Sequence, residues 1–332
     1  MLETKKKLPV EDQNHLILKE LMEKQMEKFE LKEIIGFGSE SYVYKSLIKK
    51  INKPVTLKII YNDKKHNSNL REVEIANKLK NRNVINFFGL QNLKNEKLNC
   101  DCIIMEYSKF GNLRQFQKNY LKNQYMTEST LCYFSYQILK GLKYCHMSKI
   151  AHLDIKPQNI IIDETLNLKL IDFSISINYR DIKNKIKLPP HGTQYYMAPE
   201  VINSETINVN DLEKVDLFSL GVMLYNFAFF AYPYQFTDNT KDEDGEQPIE
   251  KKITNFVEEK KFNYSKYFID FISKLLEKDI NKRINIKQAM EHKFIKGAEI
   301  LLEEKEKTNN ANIFLSYLMF DYFQNYNNYI RQ

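Results

Sequence analysis

Residues 217–234, LFSLGVMLYNFAFFAYPY, are apolar almost without a break. A segment of that kind must be taken out of water. A membrane span would do this, and so would a helix surrounded by protein on every face. The run is short for a span, carries Ser219 and Asn226, and ends at Pro233. We therefore expect a helix buried on all sides of a large core and no membrane span. The chain has the means to build one: it has 332 residues, and 43% of them are hydrophobic.

The rest of the chain changes character near its first third. Residues 11–30 read as a helix, with Leu16, Leu18, Leu21, Met22 and Met26 near helical spacing. Strand-like segments follow at Leu31–Ile35, Tyr42–Leu47 and Val55–Tyr61, then a helix from Asn69 to Lys80, then strands near Ile85–Leu90 and Cys102–Tyr107. After Gly111 the pattern turns helical. Glu128–His146 carries Leu131, Phe134, Ile138, Leu139 and Leu142 on one face, short strands at Ile160–Ile162 and Leu168–Ile171 flank a turn, and helices dominate from Val215 to Ile295. The expectation is an α+β fold of two lobes, small and β-rich first, larger and α-rich second, with a hinge near Glu106–Phe110.

Three segments carry chemistry in a fixed order: His152-Leu153-Asp154-Ile155-Lys156-Pro157-Gln158-Asn159, Asp172-Phe173-Ser174, and Gly192-Thr193-Gln194-Tyr195-Tyr196-Met197-Ala198-Pro199-Glu200. Upstream stand Ile35-Gly36-Phe37-Gly38-Ser39-Glu40-Ser41-Tyr42-Val43, the Val55-Thr56-Leu57-Lys58 strand, the Leu70-Arg71-Glu72-Val73-Glu74 helix and Ile103-Ile104-Met105-Glu106-Tyr107-Ser108. Taken singly, each has a bland reading: an aspartate caps or faces solvent, and short glycine motifs occur in many hairpins. Packing gives no reason to gather these residue types in this order.

In that order the segments resemble the catalytic loop, metal-binding triplet and substrate-side loop of the eukaryotic-type protein kinase family, serine/threonine branch. The resemblance runs from about Phe29 to Gly297. It implies that Asp154 accepts the proton of a substrate hydroxyl and Lys156 steadies the transferring phosphate. Asn159 and Asp172 are the hard oxygen donors that Mg²⁺ requires. Gly36 and Gly38 would let backbone N–H groups approach phosphates, with Ile35 and Phe37 beside them. Lys58 would pair with the α- and β-phosphates of ATP and with Glu72. Glu74 is a rival to Glu72, and counting back from Leu79 favours Glu72. Val43, Thr56 and Ile161 would sandwich the adenine, Met105 would stand beside it, and the Glu106 carbonyl and Ser108 N–H would bond its edge. Asp216 would hold the catalytic loop, and Glu200 would pair with Arg283.

The implied function is transfer of the ATP γ-phosphate to a serine or threonine hydroxyl of a protein substrate. The alternative is a nucleotide-binding pseudokinase acting as a scaffold. The sequence departs from the family at Leu153, where many members carry the arginine that pairs with a phosphorylated activation loop, so control through that contact is not expected. Ser174 replaces a glycine of the metal triplet, Ser41 the third glycine of the phosphate loop, and Thr56 the usual alanine over the adenine. Asn112 and Gln158 stand where acidic residues often read an upstream arginine, so no strong preference for basic residues is expected there.

The flanks 1–28 and 298–332 lie outside the resemblance, which leaves 29–107 and 108–297 for the two lobes. The tail holds Phe314, Leu315, Tyr317, Leu318, Phe320, Tyr322, Phe323, Tyr326 and Tyr329, too apolar for a free segment. It is expected to pack on the larger lobe, with a docking or dimerisation helix as the alternative. The net charge of +7 is mild and spread along the chain, and the one dense basic run, Lys5-Lys6-Lys7, reads as a solvated tail. No nucleic-acid partner is expected. Cys100, Cys102, Cys132 and Cys145 form no zinc-like spacing. With no apolar leader and Leu2 where N-myristoylation needs glycine, a cytoplasmic location is expected, the nucleus left open.

Overall fold

The computed structural model describes residues 13–37, 41–61, 67–122, 124–234, 248–320 and 329. Gly38, Phe236 to Gln247, Tyr322, Phe323 and Tyr326 lie outside the described residues. The chain divides into two compact units. The small one comprises Met1–Asn77 and Ile85–Tyr107, and the large one Lys78–Val84 and Ser108–Gln332.

In the small unit, helix α1 (Gln13–Gln25) precedes strands β1 (Phe29–Phe37), β2 (Ser41–Ile48) and β3 (Lys53–Tyr61), helix α2 (Asn67–Lys78), and strands β4 (Phe87–Lys94) and β5 (Asn99–Glu106). The strands form one antiparallel sheet in the order β1-β2-β3-β5-β4. Strand side chains alternate between faces, and the two faces do different work. Val55, Leu57 and Ile59 of β3, with Cys100 and Cys102 of β5, form a core with Leu18, Leu21, Met22 and Met26 of α1. Ile60 and Ile103, on the opposite face, pack with Val73 of α2.

Two boundaries differ most from the sequence expectation. Helix α1 ends at Gln25 rather than near residue 30, because β1 begins at Phe29. Strand β4 continues to Lys94 rather than stopping at Leu90. The Gln25 side-chain amide donates to the Lys94 carbonyl at 2.8 Å and accepts from the Lys94 N–H at 3.2 Å, while the Gln91 side chain donates to the Gln25 carbonyl at 2.7 Å. A side chain from α1 thus completes backbone bonding that the end of β4 would otherwise lack.

The large unit is built on α3 (Leu113–Asn119) and α4 (Glu128–Met147), short strands β6 (Ile150–Ala151), β7 (Ile160–Ile162), β8 (Leu168–Leu170), β9 (Ile177–Asn178) and β10 (Lys185–Lys187), then α5 (Pro199–Ile202), β11 (Thr206–Asn208), α6 (Leu212–Phe229), α7 (Ile249–Lys260), α8 (Lys266–Leu275), α9 (Ile286–Glu291), α10 (Lys293–Thr308) and α11 (Ala311–Phe320). Thr127 caps α4 by accepting from the Thr130 N–H, and the expected apolar face of α4 is buried along its length. Residues 78–84 join this unit: the Asn83 side chain donates to the Leu168 carbonyl at 2.9 Å, and the Asn83 carbonyl accepts from the Leu170 N–H at 2.9 Å.

Helix α6 contains most of the apolar run, and Leu217, Phe218, Leu220, Val222, Met223 and Leu224 have no exposed surface. It is a core helix, as expected, and among the described residues no helix is long and apolar enough to cross a membrane. Gly221 lets α8 approach it closely: a Cβ there would lie 2.8 Å from the Leu275 Cβ. The C-terminal aromatic segment packs on α4 in its described part. Phe314, Leu315 and Leu318 are buried, the Phe314 ring lies 5.2 Å from the Tyr133 ring, and the Leu318 carbonyl accepts from the Thr127 and Thr130 hydroxyls.

Candidate active site

The small unit gathers its expected residues on one face of its sheet. Val43 pairs with Lys58, Lys58 with Ile103, and Thr56 with Met105, so the alternation of strand side chains puts Val43, Thr56, Lys58 and Met105 on the side away from α1. The Lys58 Nζ lies 3.0 Å from each carboxylate oxygen of Glu72, and both side chains are largely buried. Glu74, its rival, is exposed. Glu106 is held at the end of β5: its carboxylate accepts from the Asn86 N–H at 2.8 Å and the Asn86 side chain at 3.0 Å. Ile35, Gly36 and Phe37 end β1, where Gly36 pairs with Val43. A Cβ on Gly36 would stand 3.6 Å from the Val43 Cβ, an ordinary contact. Packing among the described residues therefore does not demand glycine at this point, and a backbone without a side chain fits a phosphate cradle.

The large unit carries the rest. Ser108 spends its hydroxyl on the Ile162 carbonyl at 2.5 Å and the Gly111 carbonyl at 3.0 Å, so its backbone is what it can offer a ligand. Ile161 lies on β7 and bridges to Asn112. Asp154 is the centre of a bonded cluster. Its Oδ2 accepts from the Lys156 ammonium at 2.7 Å and from the Asn159 side-chain amide at 2.7 Å, and its carbonyl accepts from the same amide at 3.0 Å. The Lys156 ammonium also donates to the Thr193 hydroxyl at 2.9 Å. Gly192 has a φ of +115°, and a Cβ there would come 3.3 Å from the Asp154 Oδ1. That left-handed backbone suits glycine, and the missing side chain avoids a tight contact with the second carboxylate oxygen.

The Asn159 amide is oriented by this network. With Nδ2 committed to Asp154, its Oδ1 is left as the acceptor that a cation would meet. The Ile171 N–H donates to the Asn159 carbonyl at 3.0 Å, which keeps Asn159 beside the segment leading to Asp172. Asn159 and Asp172 offer hard oxygen atoms, and among the described residues no cluster of three or more His, Cys, Asp or Glu side chains could hold a metal by itself. Such a pair fits Mg²⁺, which keeps waters and phosphate oxygens as its remaining ligands.

Two residues here stand in the left-handed backbone region, Leu153 at φ 66° and Asp172 at φ 65°. Fully buried Asp216 fixes the first: it accepts from the Leu153 N–H at 2.7 Å and the His152 N–H at 2.9 Å. Its Oδ2 also lies 3.0 Å from the His146 Nε2. Burial alone would raise the Asp216 pKa. The His146 ring 3.0 Å away and the His152 N–H outweigh it and hold the carboxyl below its ordinary value. The His152 Nδ1 accepts from the Asp154 N–H at 3.3 Å, which leaves Nε2 to donate to the Ile171 carbonyl at 3.0 Å. Ser174 has no left-handed backbone, so a serine replaces the usual glycine there without strain in this conformation.

Deeper in the unit, Arg283 and Glu200 form the expected buried pair, with nitrogen–oxygen distances of 2.7 and 3.0 Å. Reasoning from sequence did not assign the contacts of His146, Gly192 and Thr193. The segment containing Gly192 and Thr193 was recognisable, but the His146 contact has no local signal.

A family model described as the protein kinase domain matches residues 29–295. The chain is 30% identical over 286 residues to the serine/threonine-protein kinase pakH of Dictyostelium discoideum, covering 82% of this chain and 50% of that protein. It is 30% identical to serine/threonine-protein kinase 4 homolog B of the same organism, over 82% of this chain and 24% of the relative. It is 29% identical to the Aurora kinase of that organism, over 82% of this chain and 66% of the relative. The chain thus spans less than two thirds of the full length of each of these relatives.

Proposed function

The chain belongs to the protein kinase domain family, and from that premise we propose that it transfers the γ-phosphoryl group of ATP to a serine or threonine hydroxyl of a protein substrate. The observation that carries this reading is the bonding of Asp154. Lys156 and Asn159 both engage Oδ2, so Oδ1, which accepts no hydrogen bond among the described residues and adjoins side-chain-free Gly192, would be the atom to receive the proton of a substrate hydroxyl. Lys156, fixed between Asp154 and Thr193, is positioned to meet developing phosphate charge. Asp172 and Asn159 would hold Mg²⁺. In the small unit, Lys58 held by Glu72 would bind phosphate oxygens, with Gly36 giving its backbone. Bound magnesium would neutralise phosphate charge during transfer.

Radiolabelled transfer to a generic protein substrate tests this, with Asp154→Asn beside wild type. Loss of the proton acceptor is expected to reduce turnover by at least about 100-fold. Undiminished transfer by the variant would refute the role of Asp154. No transfer by either protein, together with stabilisation by ATP, would instead support a nucleotide-binding scaffold.

The kinase is further proposed to work without a phosphate on its activation segment. From Phe173 to Glu200 hydroxyls stand at Ser174, Ser176, Tyr179, Thr193, Tyr195 and Tyr196; exposed Tyr195 stacks on Tyr232 with ring centroids 4.8 Å apart. Ser176 is fully buried and donates to the His152 carbonyl at 3.0 Å, Tyr179 is buried and donates to the His146 carbonyl at 3.2 Å, and Thr193 accepts from Lys156. Leu153 supplies no charge to receive a phosphate. Phosphatase treatment of the purified protein should leave its specific activity within about twofold, and a larger drop would remove this proposal. A reducing compartment such as the cytoplasm suits the four buried free cysteines.

A further inference from the structure

On the reading that this chain phosphorylates proteins, we propose that strand β10 and the residues leading into it form a basic subsite, one that selects substrates carrying anionic side chains, carboxylate or phosphate, near the acceptor hydroxyl. Arg180, Lys183, Lys185 and Lys187 are all exposed, as is His191 just beyond them. Asp181 is the only acid between Asp172 and Thr193. Among the described residues, none of the four cationic side chains enters an ion pair or hydrogen bond. Glu205, the residue before β11, accepts from the Asn203 side chain at 3.1 Å.

The ribbon aims these charges. β10 pairs with β11 in the register Lys185↔Asn208, Ile186↔Ile207, Lys187↔Thr206. Ile186 and buried Ile207 anchor one face. Lys185 and Lys187 share the other, about 7 Å apart along the strand, opposite uncharged partners. Every-second-residue spacing is why the cluster does not read as a basic run in the sequence. Like charges held together with no counter-ion oppose one another, and the packing of the ribbon gains nothing from them.

Their distance from the chemistry is bounded by the chain. Gly192 lies five positions beyond Lys187, and an extended chain covers at most about 18 Å in five steps. Gly192 borders the Asp154 carboxylate. A substrate whose hydroxyl reaches Asp154 can therefore set an anionic side chain against these lysines within about six residues of the acceptor. The stretch 175–192 offers no accessible hydroxyl that could itself become the anion, since its two hydroxyl residues, Ser176 and Tyr179, are buried.

Matched peptides decide the matter. They share one neutral serine core and differ only in flanking residues: glutamate, phosphoserine, glutamine or lysine. The full chain and its Lys185→Glu/Lys187→Glu variant are compared, with melting curves confirming that the variant folds. Wild type should favour the glutamate or phosphoserine peptide over the glutamine peptide by about tenfold in kcat/KM, mostly through KM, as two exposed ion contacts would give. The variant should lose that ratio and shift toward the lysine peptide. A glutamate arm equal to the phosphoserine arm assigns carboxylates as sufficient, and a preference for phosphoserine alone assigns a primed substrate. Equal use of glutamate and glutamine peptides in the absence of a phosphoserine preference, or a ratio unchanged in the variant, overturns the subsite. Fluorescence anisotropy with the same peptides, without nucleotide, keeps the two readings apart. If no peptide is phosphorylated the kinase reading fails, while charge-dependent binding still supports the subsite and charge-independent binding overturns it. Charge reversal that weakens binding of an RNA oligonucleotide or phosphatidylserine vesicles, but not of the glutamate peptide, also overturns it.

Discussion

A leucine in left-handed conformation costs about 1–2 kcal/mol, and Leu153 adopts it one residue before the proposed proton acceptor. Asp216 holds it there through the N–H groups of His152 and Leu153. Asp216→Ala would leave both donors without their acceptor in a fully buried site. We expect it to destabilise the fold by about 3 kcal/mol and to abolish most transfer, as read by urea denaturation and phosphate incorporation. A loss under about 1 kcal/mol would show that other contacts hold Leu153. Lys58, Glu72, Asp154, Asn159 and Asp172 were legible in the sequence because phosphoryl transfer dictates their types and order. Even Glu72 could be separated from exposed Glu74 by counting. The Lys156–Thr193 bond joins residues 37 positions apart, and the His146 contact with Asp216 likewise comes from tertiary approach, so no local pattern announces either one.

Helix α6 shows how far a hydrophobic run can be read at the scale of an element. Its burial was legible from composition alone, but which neighbour it would admit was not. Gly221 sets that, since a Cβ would meet Leu275 at 2.8 Å. Gly221→Ala should force α8 away and destabilise the protein by about 1–3 kcal/mol, despite the better helix propensity of alanine. An unchanged or raised melting temperature would mean that α8 yields without cost. The same limit explains the misjudged ends of α1 and β4. Hydrophobic periodicity located both elements, but the Gln25 and Lys94 contact that extends β4 links positions 69 residues apart.

For the whole molecule, the described parts of the two flanks beyond the family match become part of the units they adjoin. Helices α10 and α11 pack on α4, and Lys305 of α10 donates to the Tyr133 hydroxyl at 2.7 Å. Burial lowers the Lys305 pKa to about 8, with Arg82 adding to the effect and Asp163 opposing it. The folded value is below the unfolded one. Below pH 8 the lysine is therefore charged in both states and its burial penalty is constant. Between about 8 and the ordinary lysine value the unfolded chain holds more protons, so stability rises with pH. Thermal unfolding at pH 7.5 and 9.5 should show wild type gaining on Lys305→Met as pH rises, and parallel behaviour would exclude Lys305 as the source. The N-terminal flank has a different consequence. The sheet of the small unit ends at β4, and an open strand edge is a template for another chain. By lending its amide to Lys94, Gln25 closes the last part of that template from within. Helix α1 therefore covers the end of an edge that another strand could join as well as adding to the core, and a shortened chain lacking it is expected to self-associate more, as read by sedimentation.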